Sequence, residues 1–278
     1  MISIRIEIPL RIWPTKLWRN KIVKTTAPQS WNELTRKQLV KFTQLLYSVT
    51  DKAMLKLLSV RMFFGISKFQ VIRLTEVQVI ESFELFKFLL EDNQLTTQLL
   101  PYLKPSIFSK KLYGPGDGFK YLKPDEWMFA DAHYMEYRNS EKVEDLQKFV
   151  ACLYRGKRKK YKPKAEDFNG EIRKPFNSHH LEAITKKIAK CSLWELLAIK
   201  VWYDGCRAAW ENEFDKVFTA DNESTAESYG WAEVFMKMSG STFGTMAEVE
   251  KQPMYNLLFK MQVDTKDHEE AKRKNKKA

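Results

Sequence analysis

Residues 192–218 read SLWELLAIKVWYDGCRAAWENEFDKVF and predict a long helix. Ser192 is followed three positions later by Glu195, the spacing of a capping box, in which two side chains satisfy backbone N–H groups at a helix start. The helical pattern continues to about Phe218. Gly205 predicts an interruption on the way, because glycine is a poor helix former.

The composition extends the helical expectation to the rest of the chain. Its 278 residues include ten glycines and ten prolines, fewer than the roughly 12% that these two types make up in average proteins. Folds with many strands need more turn residues than this. With 44% apolar and 13% aromatic residues the chain is not of the disordered class. We therefore predict a mainly α fold, a multi-helix globular protein with a short N-terminal β element.

The N-terminus carries the clearest strand pattern. Isoleucine occupies every second position from Ile2 to Ile8, and Pro9 follows. Such alternation predicts a strand over residues 2–8 with one apolar face. Its partner is either a second strand in a small sheet or the strand of a neighbouring subunit, so an oligomer formed through this strand is one expectation. Polar residues between the isoleucines break the apolar run that a signal peptide needs.

Three helices are predicted in an N-terminal lobe, residues 1–105. Two capping boxes are predicted before the first helix, Ser30 with Glu33 and Thr35 with Gln38. Asp51 begins the second helix, and a capping box of Thr75 with Gln78 begins the third. Gly65 is placed to end the second helix. Two apolar stripes are expected to face the core: Leu39, Phe42, Leu46 and Val49, and Val79, Phe83, Phe86 and Leu90.

A C-terminal helical lobe is predicted over residues 106–263, with a basic loop at 155–174 and a basic tail at 264–278. Three glycines within residues 114–118 predict a turn or exposed loop between the lobes. Pro124 at a first helical position begins one helix, and Glu141 begins the next. Further helices carry Leu181, Ile184 and Ile188, and then the segment from Ser192.

No bilayer-spanning helix is predicted. The longest stretch without a charged residue runs from Asn93 to Leu103, well short of the ~20 residues that a crossing requires. Three cysteines, Cys152, Cys191 and Cys206, have spacings that fit neither a disulfide framework nor a zinc site. We expect buried thiols in a reducing cytoplasm.

Metal and catalytic chemistry are not predicted. The residues that could suggest a metal site are Asp131, His133, His179, His180 and Glu182. Adjacent histidines point to different faces of a helix, so the two cannot both ligate one ion without help. We expect them instead in a first helical turn after Asn177. A Cys–His nucleophile pair is left open by the sequence, although nothing local supports it. The prediction is no cofactor, no metal and no enzymatic activity.

The run RGKRKKYKPK at 155–164 holds seven basic residues and no acidic one, within a chain of net charge +12. Such density predicts an exposed loop. Because Tyr154, Tyr161 and Phe168 interleave with the cations, one interpretation is nucleic-acid binding, and the other is a solvated connection. The predicted binding residues, which the basic C-terminal tail would assist, are Arg155, Lys157, Arg158, Lys159, Lys160, Tyr161, Lys162 and Lys164.

Methionines are concentrated near the C-terminus, where residues 236–261 hold five of the ten in the chain. Flexible thioethers suit surfaces that accept varied apolar partners, but they also fill cores. The predicted partner-binding stripe consists of Trp231, Phe235, Met238, Met254, Leu257, Leu258 and Met261.

Several short motifs in the C-terminal half suggest a family. They lie between about residues 110 and 263: Leu153-Tyr154-Arg155, Pro175-Phe176-Asn177, Trp202-Tyr203-Asp204-Gly205-Cys206-Arg207, Gly230-Trp231, Ser239-Gly240, Phe243-Gly244 and Met254-Tyr255. With these motifs the chain resembles largely uncharacterised proteins encoded among the tail-morphogenesis genes of bacterial prophages.

The resemblance implies a non-enzymatic role in tail assembly. The protein would be a chaperone-like factor or virion component that binds a phage structural protein, such as the long helical tape-measure protein or the tail tube protein. The sequence leaves open whether it is retained in the particle. The alternative is a nucleic-acid-binding protein that uses residues 155–164 and the tail.

Overall fold

A computed structural model describes residues 2–11, 18–158, 170–220, 231–240 and 243–276. Most of these residues are helical, which confirms the mainly α class, and a two-stranded element lies at the N-terminus. The chain divides into two compact units, residues 1–99 and residues 100–278. The glycine-containing loop at 114–118 lies inside the second unit.

The first unit begins with an antiparallel hairpin. Strand β1 (Ile2–Arg11) pairs with β2 (Trp18–Ala27), and Ile6 lies opposite Val23. The predicted first strand is therefore present and longer than expected. Strand β2 was not predicted, because Lys21 and Lys24 made its sequence resemble a basic connector. Pairing of β1 with a neighbouring subunit stays a prediction.

Four helices follow in the first unit: α1 (Arg36–Ser48), α2 (Lys52–Phe64), α3 (Lys68–Val71) and α4 (Glu76–Glu84). The capping boxes of Thr35 with Gln38 and of Thr75 with Gln78 are confirmed. Asp51 accepts a hydrogen bond from the Ala53 N–H and caps α2. The box predicted at Ser30 is wrong, because residues Trp31–Glu33 form a 3-10 turn in which the Ser30 side chain makes no capping bond.

The core of the first unit is aromatic. Phe63 and Phe86 stack with ring centroids 4.4 Å apart, and Trp31 meets Phe42 edge to face at 5.9 Å. Two members of the predicted stripes, Leu46 and Leu90, are exposed instead. For Leu90 the reason is that α4 ends at Glu84 and a 3-10 turn, Lys87–Leu90, changes the periodicity, so that Leu89 is buried.

Gly65 ends α2 in the left-handed conformation, with a φ of 64°. Because a Cβ is disfavoured there, we expect Gly65→Ala to lower the free energy of unfolding by about 1 kcal/mol. A Cβ at Gly65 would meet no atom within 4 Å, so the cost would come from the backbone alone. Gly65→Asn should lose less, because asparagine tolerates this conformation. Urea denaturation measures both, and equal losses would contradict the explanation.

The second unit starts with a short antiparallel pair, β3 (Tyr102–Leu103) and β4 (Leu112–Tyr113). The helices that follow are α5 (Pro124–Ser140), α6 (Val143–Leu153), α7 (Leu181–Ile188), α8 (Leu193–Glu213), α9 (Asp215–Ala220), α10 (Trp231–Met238), α11 (Met246–Val249) and α12 (Met254–Asn275).

Several helix boundaries in this unit differ from the prediction. Helix α8 runs through Gly205 without interruption and ends at Glu213, and the backbone leaves the helical region at Phe214. Gly205 is buried in α8, where packing outweighs its weak helix propensity. Ser192 makes no side-chain capping bond. Glu141 ends α5 in a left-handed conformation instead of starting α6, whereas Pro124 begins α5 as predicted.

The centre of the second unit is a cluster of aromatic rings around Phe119. The turn before it contains Gly118, and both residues have positive φ, of 55° and 63°. This turn carries Phe119 into the core. Ring centroids within 5.6 Å of Phe119 belong to Trp127, Trp202, Tyr203 and Trp210. This core residue directly follows the turn or exposed loop that was predicted at residues 114–118.

Candidate binding surfaces

The predicted C-terminal stripe lies largely in the core of the second unit. Met254, Leu257 and Leu258 are fully buried and Phe235 is nearly so. The Met254 N–H donates to the Leu122 carbonyl at 2.9 Å, which anchors the start of α12 beneath this core. These four residues are therefore not available to a partner. The prediction was wrong for them, because periodicity identifies an apolar face without showing what covers it.

The other stripe residues, Trp231, Met238 and Met261, are half-buried. The Trp231 Nε1–H donates to Asp131 at 3.2 Å, and its ring meets Phe235 at 6.0 Å. On the opposite face of α12, Phe259 is 57% exposed. The apolar surface of α12 is thus smaller than predicted and lies on the other side of the helix.

Arg155, the first residue of the predicted nucleic-acid site, is buried in an ion cluster. Its guanidinium lies 2.8 Å from the Glu126 carboxylate. Arg173 pairs with the same carboxylate and with Glu171 at 2.6 Å. The prediction that Arg155 lies on an exposed loop is therefore wrong. Its charge is tolerated inside because two arginines face two carboxylates.

Backbone groups complete the cluster. Arg155 donates to the carbonyl oxygens of Lys174 at 2.8 Å and of Cys152 at 2.9 Å. Arg173 donates to the Leu153 carbonyl at 2.9 Å. Burial alone would raise the pKa of Glu126, but the attraction of both guanidinium groups holds that pKa below its ordinary value. The cluster therefore stays ionised and ties residues 171–174 to the end of α6.

The rest of the predicted basic site is described only in part. Lys157 and Arg158 are exposed. The Arg158 N–H donates to the Ile172 carbonyl at 3.0 Å, and Lys157 pairs with Arg173 across an antiparallel bridge. Tyr154, which was expected to interleave with the cations, is buried and donates to the Leu100 carbonyl at 2.5 Å. Lys159, Lys160, Tyr161, Lys162 and Lys164 lie outside the described residues.

The residues considered for a metal site have other roles. Within the described ranges, no three His, Cys, Asp or Glu side chains lie close enough together to hold a metal ion. Asp131 pairs with Arg207 and accepts from Trp231. His133 lies 2.7 Å from Glu136. Ser178–His180 form the helical turn predicted after Asn177, whose side chain caps it by accepting from the His179 N–H.

A basic cleft of about 810 Å³ lies in the second unit. Three segments line it, within residues 105–113, 155–157 and 174–190, and no Asp or Glu is among the described lining residues. Six exposed lysines surround it: Lys110, Lys111, Lys157, Lys174, Lys187 and Lys190. Sequence reasoning found only Lys157, because the others are scattered over 80 positions and form no run.

Backbone hydrogen bonds join these segments into the floor of the cleft. The Tyr113 N–H donates to the Arg155 carbonyl at 2.7 Å, and the Arg155 N–H returns a bond at 2.9 Å. The Lys174 N–H donates to the Gly156 carbonyl at 2.8 Å. The buried ion cluster lies behind this floor. It uses the guanidinium of Arg155 internally, so the surface charge of the cleft comes from lysines.

A tight turn stands beside the cleft. The Ser109 N–H donates to the Ser106 carbonyl at 3.1 Å, and the Ser109 hydroxyl accepts from the Ser106 N–H at 2.8 Å. Ile107 and Phe108 occupy the two central positions, and Phe108 is 96% exposed. Both serines line the cleft, so the turn that carries Phe108 borders it.

The first unit exposes apolar side chains on α3 and α4. Phe69 and Ile72, three residues apart, are 79% and 77% exposed. Val77 and Ile80, also three residues apart, are exposed on α4. The same helix buries Phe83, so α4 is apolar on two faces and only one of them is covered. These residues were missed because the prediction assigned the helix a single apolar stripe.

In the part of the chain that the structure describes, no helix is both long enough and apolar enough to cross a lipid bilayer. No protein-family model, curated protein or solved structure matches the chain.

Proposed function

We propose that the protein is a non-enzymatic phage or prophage tail assembly or virion protein that binds a helical structural partner. The motifs between about residues 110 and 263 resemble those of proteins from prophage tail-morphogenesis regions. The partner is a tape-measure or tail tube protein, and the site of action is the cytoplasm of the bacterial host.

The observation that carries this proposal is the exposure of apolar side chains on α3, at its C-terminal end and on α4. Spacings of three residues place Phe69 with Ile72, and Val77 with Ile80, on common helical faces. Exposed apolar patches on a folded protein mark surfaces that another macromolecule covers. An amphipathic helix of a partner is a natural occupant, because helices recognise one another through side chains at these spacings.

Two of the three cysteines are poorly suited to act as nucleophiles. Burial raises the pKa of the Cys152 and Cys206 thiols well above the ordinary value. A thiol that stays protonated is a poor nucleophile. Asp131 already accepts from Arg207, Trp231 and Tyr203. It is therefore engaged in holding α5, α8 and α10 together.

The test is affinity purification of the tagged protein from cells in which the phage or prophage is induced, with mass spectrometry of what is recovered. We expect a tape-measure or tail tube protein to copurify. Phe69→Asp with Ile72→Asp should reduce its recovery at least tenfold, because a carboxylate at each position opposes burial against an apolar helix. Val77→Asp with Ile80→Asp should act in the same way.

The matched control is Phe259→Asp, an equally polar change at an exposed aromatic residue of the second unit. It should leave recovery unchanged. Loss of recovery in the control but not in the α3 and α4 variants would move the binding surface to α12. Failure to recover any tail structural protein would contradict the proposed function, as would turnover of a small metabolite abolished by one polar substitution.

A further inference from the structure

The basic cleft of the second unit is a separate feature, and its argument does not rest on the proposed function. We propose that this cleft binds single-stranded nucleic acid, with its lysines on the phosphodiester backbone and Phe108 against a base. The proposed site differs from the basic run at 155–164, with which it shares only the buried Arg155, Gly156 and Lys157 among the described residues.

The charge of the cleft is the first argument. Lys110, Lys111, Lys174, Lys187 and Lys190 form no ion pair with any described residue. Like charges gathered around a concave surface repel one another, and the low-dielectric wall strengthens their field. A polyanion removes this repulsion and releases its own counterions, which is the main source of affinity for nucleic acids.

The floor of the cleft supplies rigidity. The ladder from Tyr113 to Arg155 and from Gly156 to Lys174 fixes the three lining segments relative to one another. The Glu126 cluster also joins two of these segments through the bond that Arg155 donates to the Lys174 carbonyl. The lysine positions are thus set by the fold before a ligand arrives, which lowers the entropic cost of binding.

The exposed ring of Phe108 favours nucleic acid over an acidic protein segment as the ligand of the cleft. An acidic peptide needs only cations, whereas a single strand is also held by stacking of its bases on aromatic rings. Phe108 stands almost fully exposed at the centre of the turn between Ser106 and Ser109, next to Lys110 and Lys111. A duplex would present stacked, paired bases, so a ring on a protruding turn favours a single strand.

The experiment measures fluorescence anisotropy of a labelled oligothymidylate with the full chain at several salt concentrations. For about five phosphate contacts the slope of log K against log salt is about −3.5, a loss of roughly 100-fold between 50 and 200 mM salt. The quadruple variant Lys110→Gln, Lys111→Gln, Lys187→Gln and Lys190→Gln should flatten the slope by about 3. Phe108→Ala should weaken binding about tenfold with the slope unchanged.

The matched control changes four exposed lysines of the first unit to glutamine, Lys37, Lys41, Lys52 and Lys68, for the same loss of charge. It should retain the wild-type slope. Equal losses in both quadruple variants would overturn the proposal in favour of nonspecific attraction. Displacement of the oligonucleotide by polyglutamate, with no effect of Phe108→Ala, would assign the cleft to acidic protein segments.

A second measurement does not depend on how well the quadruple variant folds. Photo-crosslinking of a thiouridine oligonucleotide to the unmodified protein, followed by peptide mapping, should label residues 105–113. Labelling confined to peptides outside the lining segments would overturn the proposal.

Discussion

Leu258→Asp is expected to unfold the second unit. The Leu258 side chain is fully buried on α12 beside Met254 and Leu257. The change removes the apolar contacts of a core leucine, which are typically worth about 2–5 kcal/mol, and places a carboxylate at a fully buried position. Because single domains are stable by only about 5–15 kcal/mol, circular dichroism should show a large loss of helix, and gel filtration an expanded or aggregated chain.

Phe259→Asp is the matched control, since the next residue along α12 is 57% exposed. It should stay within about 0.5 kcal/mol of the wild type, as surface substitutions usually do. A folded Leu258→Asp protein would contradict the assignment of this face to the core. If that protein also lost a binding partner, the buried part of the C-terminal stripe would be a partner surface after all.

Glu126→Gln is expected to lower the free energy of unfolding by about 3–5 kcal/mol, the usual penalty for removing one partner of a buried ion pair. The carboxylate meets both Arg155 and Arg173 in an interior where each guanidinium is nearly inaccessible. After the change only Glu171 would balance the two positive charges. Urea denaturation of the second unit, followed by the fluorescence of its tryptophans, gives the difference.

The pH dependence gives a sharper test of Glu126. Its pKa in the folded protein lies below the ordinary value of 4.5, so its ionised form contributes stability that is complete above that value and is lost as the pH falls through the lowered pKa. The difference in the free energy of unfolding between the wild type and Glu126→Gln should therefore become smaller in acid. A difference that does not depend on pH would show that the side chain acts through its shape alone.

Glu182→Gln is the control for this change. Glu182 pairs with Lys186 on an exposed face of α7, where solvent and salt screen the interaction. We expect no measurable change in unfolding. A loss comparable to that of Glu126→Gln would show that surface ion pairs, and not burial, account for the effect.

Local signals explain what could be predicted from the sequence. Thr35, Asp51 and Thr75 act on backbone groups two or three residues away, and the conformation of Gly65 depends only on its own missing Cβ. Motifs of this kind involve only residues that are close in the sequence, so they can be recognised from the sequence alone. The mainly α class follows from the sum of such signals.

The candidate surfaces depended on distant partners and were predicted poorly. Arg155 belongs to a dense basic run, yet its bonds to the Glu126 carboxylate and the Lys174 carbonyl, respectively 29 and 19 positions away, hold it in the interior. The cleft lysines come from three segments that meet only in the folded chain. Leu257 and Leu258 were correctly recognised as an apolar face, but whether the unit itself or a partner covers such a face is decided by tertiary packing.

The hydrogen bond from the Arg158 N–H to the Ile172 carbonyl brings the two flanks of residues 159–171 side by side. The antiparallel bridge of Lys157 with Arg173 continues this closure. Since doubling the length of a closed segment costs only about 0.6 kcal/mol, we expect residues inserted within 159–169, before Glu171 of the ion cluster, to cost little stability. For an experimenter, this makes the segment a favourable position for inserting an epitope or a fluorescent reporter.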